Sequence, residues 1–160
     1  MKIILAFDGS EGAKLALKFA LRLKEVIEKI TVLYVTPAVM GSGPTFDSYV
    51  PSTVYIKQDE AADKILQIAS TMLSDSGVDF DIEKMDATGD QIAKVIVRAA
   101  EEKSCDMIVS GTRKLSGLSK VILGSVSSEI VKLSKIPEDL MLPIICGQII
   151  VYQYKKALYF

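Results

Sequence analysis

Residues 2–35 read KIILAFDGSEGAKLALKFALRLKEVIEKITVLYV, and this stretch decides the fold. Lys2–Phe7 is a short apolar run closed by Asp8-Gly9-Ser10, the pattern of a strand covered on both faces. Glu11–Lys29 follows with Ala16, Phe19, Ala20, Leu23 and Ile27 at helical spacing, which predicts an amphipathic helix. Ile30–Val35 is a second apolar run, rich in β-branched residues. Two buried strands joined by a helix lie parallel, since the helix returns the chain to the end from which it started.

Outward from this unit the alternation continues. Thr36–Ile56 holds Pro37, Gly41, Gly43, Pro44 and Pro51 among serines and threonines and reads as a long loop. Lys57–Ser76 resumes a helical period through Ala61, Ala62, Ile65, Leu66, Ala69, Met72 and Leu73. Val78–Glu83 alternates apolar and acidic residues, as a half-covered strand does. Thr88 and Gln91 fit a capping box for a helix with Ile92, Val95, Ile96, Ala99 and Ala100 on one face. Cys105–Ser110 reads as a buried strand, and Ser125–Lys135 as a last helix stopped by Pro137. In the tail, Leu142–Cys146 and Gln148–Tyr154 each have strand character, one to complete the sheet and the other to pair with a partner chain or stay at an edge. The expected architecture is α/β: a single doubly wound, parallel, five-stranded sheet with helices on both faces, Rossmann-like. Residues 1–137 form the α/β domain, and 138–160 an atypical C-terminal strand and tail segment.

Composition narrows the function. The 160 residues suit one domain, with 49% hydrophobic and 24% charged residues and a formal net charge of -1. No basic run marks a nucleic-acid or anionic-membrane partner. Histidine is absent, which excludes Ser-His and Cys-His hydrolytic mechanisms. Cys105 and Cys146 sit among apolar residues without a CxxC pair and read as buried free thiols of a reducing compartment. The first apolar run is too short for a signal peptide, and no stretch of about 18 apolar residues marks a membrane span. A cytoplasmic protein is expected.

Ligands of an open parallel sheet bind outside the carboxyl ends of its strands, where the strand order reverses. At the first such end, the Asp8 carboxylate can accept from a ribose hydroxyl or an adenine amino group; equally, Asp8 or Ser10 can cap the following helix. At the second, Val35 and Thr36 offer an apolar wall and backbone groups to an adenine. The third is Gly111-Thr112-Arg113-Lys114-Leu115-Ser116-Gly117, followed by Leu118 through Gly124 and Ser125. There Gly111 lets backbone approach a ligand, Gly124 and Ser125 open a helix whose positive end favours an anion, and Arg113, Lys114 and Lys120 add charge. The stretch is neither a Walker A motif nor GxGxxG, and a glycine turn with a capping serine explains it as well. Asp79, Asp81 and Glu83 share one strand face and read as a solvated face, so no protein-built metal site is expected.

Taken in order, these motifs resemble the universal stress protein family. The opening strand and its turn (ILAFDGS), Leu33-Tyr34-Val35 at the second strand end, Gly89-Asp90 before the third helix, and Asp106-Met107-Ile108-Val109-Ser110-Gly111-Thr112-Arg113 carry the likeness, over roughly residues 2–137. The nucleotide-binding branch is similar to G-x2-G-x9-G-[ST]: Gly111, Gly124 and Ser125 match, with the nine-residue spacer Leu115–Leu123 intact, while Lys114 replaces the second glycine. A side chain at 114 either obstructs the phosphates or contacts them through its ammonium group. The resemblance implies an adenine nucleotide alpha hydrolase-like fold and an adenine nucleotide (ATP, ADP or AMP, with or without Mg²⁺) as ligand. It implies Ala6, Phe7, Asp8 and Val35 around adenosine. It places Ser110, Gly111, Thr112, Arg113, Lys114, Gly124, Ser125 and Val126 along ribose and phosphates. It implies a homodimer with further, unidentified protein partners in stress response and signalling, and no dedicated catalytic residue beyond slow ATP hydrolysis. The alternative is a family member that binds no nucleotide and works as a dimeric interaction module. An unrelated doubly wound nucleotide transferase is disfavoured by the missing histidine and the lack of a paired acid and base.

Overall fold

Both apolar runs of the opening unit become strands, and each is buried on its two faces. The computed structural model describes residues 1–39, 50–111, 124–133 and 149–153. The elements are β1 (Lys2–Ala6), α1 (Glu11–Arg22), β2 (Lys29–Thr36), α2 (Ser52–Leu73), β3 (Asp79–Asp86), α3 (Ile92–Glu102), β4 (Met107–Gly111), α4 (Ser125–Leu133) and β5 (Ile149–Gln153). They form one sheet in the order β3-β2-β1-β4-β5. β1 pairs in parallel with β2, Lys2 opposite Lys29, and with β4, Ile3 opposite Met107; β3 pairs in parallel with β2.

Helices cover both faces. On one, Ile3, Leu5, Ile30, Val32 and Val109 pack with Ala16 and Leu17 of α1 and Leu66 and Leu73 of α2. On the other, Ile4, Leu33, Val35 and Ile108 pack with Val95, Ile96 and Ala99 of α3 and Ile130 of α4. Adjacent strand residues thus face different helix pairs, which is why β1 and β2 read as unbroken apolar runs.

The expected five parallel strands are corrected to four. β5 pairs antiparallel with β4, Ile149 opposite Gly111 and Gln153 opposite Met107, so it enters from the carboxyl edge of the sheet. The strand expected at Leu142–Cys146 lies outside the described residues, as does Cys146.

Element ends shift for identifiable reasons. α1 stops at Arg22, not Lys29, because the chain tightens into turn bonds, Leu23 N–H to Ala20 O (2.9 Å) and Val26 N–H to Leu23 O (3.0 Å). α2 starts at Ser52, five residues before the expected Lys57, with Pro51 as its N-cap. β3 continues to Asp86, past the expected Glu83, because Lys84–Asp86 stay in register with Tyr34–Thr36. Its acidic residues are paired rather than simply solvated: Lys29 Nζ lies 2.9 Å from Asp81, and Lys103 Nζ donates to Glu83 at 2.6 Å. Among the described residues no group of three His, Cys, Asp or Glu could hold a metal ion. Cys105 is buried, and that burial pushes its thiol pKa up. No helix among the described residues is long and apolar enough to cross a membrane.

The expected capping box does not form. Thr88 sits at φ 37° and donates its hydroxyl to Asp86 O, while Gln91 is the N-cap of α3 and makes no side-chain cap bond. Gln91 already has the extended backbone of a cap (φ -75°, ψ 139°), so Gln91→Ser supplies only the missing oxygen. We expect a gain of about 0.5–1 kcal/mol, read by thermal denaturation as a rise of about 1–4 °C.

Candidate functional site

The strand order reverses between β1 and β4, whose following helices α1 and α4 leave to opposite faces. A cleft of about 240 Å³ opens there at the carboxyl edge. Its floor is built by Ala6, Phe7 and Asp8 at and just after the end of β1 and by Ser110 and Gly111 at the end of β4. Leu33, Tyr34, Val35 and Pro37 close one side, and Gly124, Ser125, Val126 and Ser127 of α4 stand opposite. Of the residues singled out from the sequence, Ala6, Phe7, Asp8, Val35, Ser110, Gly111, Gly124, Ser125 and Val126 line this one cleft. Thr112, Arg113 and Lys114 lie outside the described residues, as does Lys120.

The Asp8-Gly9-Ser10 turn divides the work that the sequence left open. Ser10 caps α1, its Oγ accepting from Ala13 N–H at 3.2 Å. Asp8 Oδ1 accepts from Ser10 N–H at 3.0 Å and so folds the turn, around Gly9 at φ 75°. The carboxylate is exposed at the mouth of the cleft, and its second oxygen has no hydrogen bond to a described residue. Tyr34 stands close enough to feel it: burial chiefly, and then the Asp8 charge, push the phenol pKa up.

Gly111 has a role that its sequence context did not suggest. A Cβ there would lie 2.5 Å from Ala13 N and 2.7 Å from Gly12 O, so the close backbone approach is that of α1 itself. Ser110 is buried, and among the described residues its hydroxyl has only a long contact (3.3 Å) to Gly111 O. Ser127, buried beside it, donates to Gly124 O at 3.0 Å and squares the start of α4. The first backbone bond of α4 is Ser128 N–H to Gly124 O (2.9 Å), so Ser125 and Val126 stand in the turn whose amides precede the helix ladder.

Sequence reasoning missed Ile92 and Ile96, which it read only as one face of a helix. They line the cleft from α3, across from Leu33 and Val35, and give it an apolar slot. Their position in the first turns of a helix that begins at the carboxyl edge was the available signal.

The arrangement fits a flat apolar ring in the slot, a sugar at Asp8 and Ser110, and an anion at the start of α4. The volume lies below the ~300–1,000 Å³ usual for pockets of drug-sized ligands. Asp8 is the only charged side chain among the described residues of the lining.

Comparison with known proteins gives a consistent picture. A family model described as the universal stress protein family matches residues 1–137. The chain is 34% identical over 143 residues to universal stress protein YxiE of Bacillus subtilis, covering 85% of this chain and 95% of that protein. Its fold is similar to that of a universal stress protein family member from Burkholderia pseudomallei, with TM-score 0.66, 25% identity, and 85% and 91% of the two chains covered. It is also similar in fold to a family protein of Arabidopsis thaliana solved with AMP bound, with TM-score 0.60, 18% identity, and 86% and 88% covered.

Proposed function

Because this chain belongs to the universal stress protein family, we propose that its cleft binds ATP or a related adenine nucleotide and that it acts in stress response through nucleotide- and dimer-linked interactions. One observation carries the reading. At the reversal of strand order, an apolar slot, an exposed carboxylate and the N-terminus of α4 converge on one cleft. The AMP held by the Arabidopsis protein supports the same ligand class.

In this reading Val35, Ile92 and Ile96 sandwich adenine, and Ala6 and Phe7 set the depth of the pocket. Asp8 accepts from the ribose. Ser110, Gly111, Gly124, Ser125 and Val126 offer backbone and hydroxyl groups toward ribose and phosphates. Thr112, Arg113 and Lys114 serve the phosphate tail, with the Lys114 ammonium in place of a glycine amide and Mg²⁺ as an accompanying ion. The protein works by holding a nucleotide, with at most slow hydrolysis. It is a cytoplasmic homodimer, residues 1–137 forming the nucleotide domain and 138–160 adding the tail whose β5 lies on β4.

The test is to purify the protein without added nucleotide, denature it, identify released small molecules by mass, and titrate the stripped protein with AMP and ATP by calorimetry. Adenine nucleotide released or bound stoichiometrically is the expected result. No release and no heat at millimolar nucleotide would leave the second reading, an interaction module without nucleotide. Lys114 in the place of the second glycine, with the unusual tail, is what favours that reading.

A further inference from the structure

α2 is two helices in one as far as burial goes. Its buried residues are Ala62, Leu66, Ala69 and Leu73, all in the second part. From Ser52 to Ala61 every residue is exposed except Gln58, which is half-buried. These ten residues extend for about 15 Å at 1.5 Å per residue. They begin at the carboxyl edge, on the side where β2 ends. Packing does not hold them in place, and the Pro51 cap supplies no side-chain bond.

Polar contacts tie the overhang down. Lys84 Nζ pairs with Asp59 and, at 2.7 Å, with Asp63, which fastens it to β3. Gln58 Nε2 donates to the Pro37 carbonyl at 2.8 Å. Pro37 lines the cleft, so this bond joins the overhang to the cleft wall. We infer that Gln58 is a positioning residue: it latches the free end of α2 to the Pro37 rim and fixes the width of the cleft, without touching the ligand. Only its affinity readout rests on the nucleotide reading above.

Two readouts separate the latch from that reading. The first is amide hydrogen exchange of the ligand-free protein over residues 54–60. The second is the affinity for adenosine, chosen because it is uncharged. Gln58→Ala removes the donor. It should speed exchange over 54–60 but not over Leu66–Leu73, and weaken adenosine about two- to tenfold, the loss of one exposed hydrogen bond. Gln58→Lys keeps a donor on a long stem and should restore both values, with melting temperatures of both variants within about 5 °C of wild type. Unchanged exchange in Gln58→Ala overturns the latch, and faster exchange with unchanged affinity overturns its role in the cleft. If the wild-type protein binds no adenosine, the nucleotide reading and the role in affinity fall together, and exchange still decides the latch.

Discussion

Gly111→Ala lowers the melting temperature by about 6–12 °C, the equivalent of about 3 kcal/mol for a chain of this size. The added methyl group would sit 2.5 Å from Ala13 N and 2.7 Å from Gly12 O, both backbone atoms of the first turn of α1. Backbone cannot rotate aside as a side chain can, so α1 must lift from β4. That movement strains the cap of Ser10 on Ala13 and the Asp8 turn behind it. Gly111 is not at positive φ, so strain in its own backbone is not the cause. The variant should therefore lose nucleotide affinity along with stability, because the lifted turn carries Asp8. A melting temperature equal to wild type would mean that α1 and β4 are less closely packed than described.

Asp8→Asn weakens AMP about tenfold and leaves the melting temperature within about 2 °C of wild type. The asparagine oxygen still accepts from Ser10 N–H, so the turn survives; what is lost is the charge at the mouth of the cleft. Hydrogen bonds to a charged group are worth about 1.5–3 kcal/mol and neutral ones about 0.5–1.5, and the difference is about tenfold in affinity. Asp8→Ala removes both roles and should cost stability as well. Tyr34 offers an independent check by absorbance titration. Its phenol pKa is raised first by burial and second by Asp8, so Asp8→Asn brings it only part of the way down. The sign for stability follows: the raised phenol stabilises the fold fully below the ordinary tyrosine pKa of about 10 and ceases to do so as pH rises through the folded value. Equal AMP affinity for wild type and Asp8→Asn would remove the carboxylate from the site.

Much of this architecture is legible in the sequence because burial on two faces leaves a plain mark. β1, β2 and β4 are short apolar runs ended by polar or glycine residues, and α1 and α3 carry apolar residues at helical spacing. The misses have the opposite character. The first part of α2 buries nothing, so Val54, Tyr55 and Ile56 show no period, and the prolines before them suggest a loop. Thr88 and Gln91 have the spacing of a capping box, but Thr88 turns to positive φ beside Gly89, which takes its hydroxyl away from the helix. The antiparallel course of β5 leaves no mark in its residues: Ile149–Gln153 would read alike in either direction.

The site divides in the same way. Strand ends announce themselves, so Asp8, Val35, Ser110 and Gly111 could be chosen on position alone. Ile92, Ile96 and Pro37 do not end a strand, and their part in the cleft depends on α3 crossing the sheet edge and on the turn after β2. Gly111 was chosen for a ligand's approach, and α1 also requires a glycine there; that second demand needs the three-dimensional distance.

The measurement that tests the central claim most directly is an amide-resolved NMR titration of the stripped protein with AMP. Saturable shifts should gather at Ala6–Ser10, Leu33–Thr36, Ser110–Gly111 and Gly124–Ser127, the elements that meet at the cleft. Shifts centred elsewhere, or none at millimolar AMP, would contradict it.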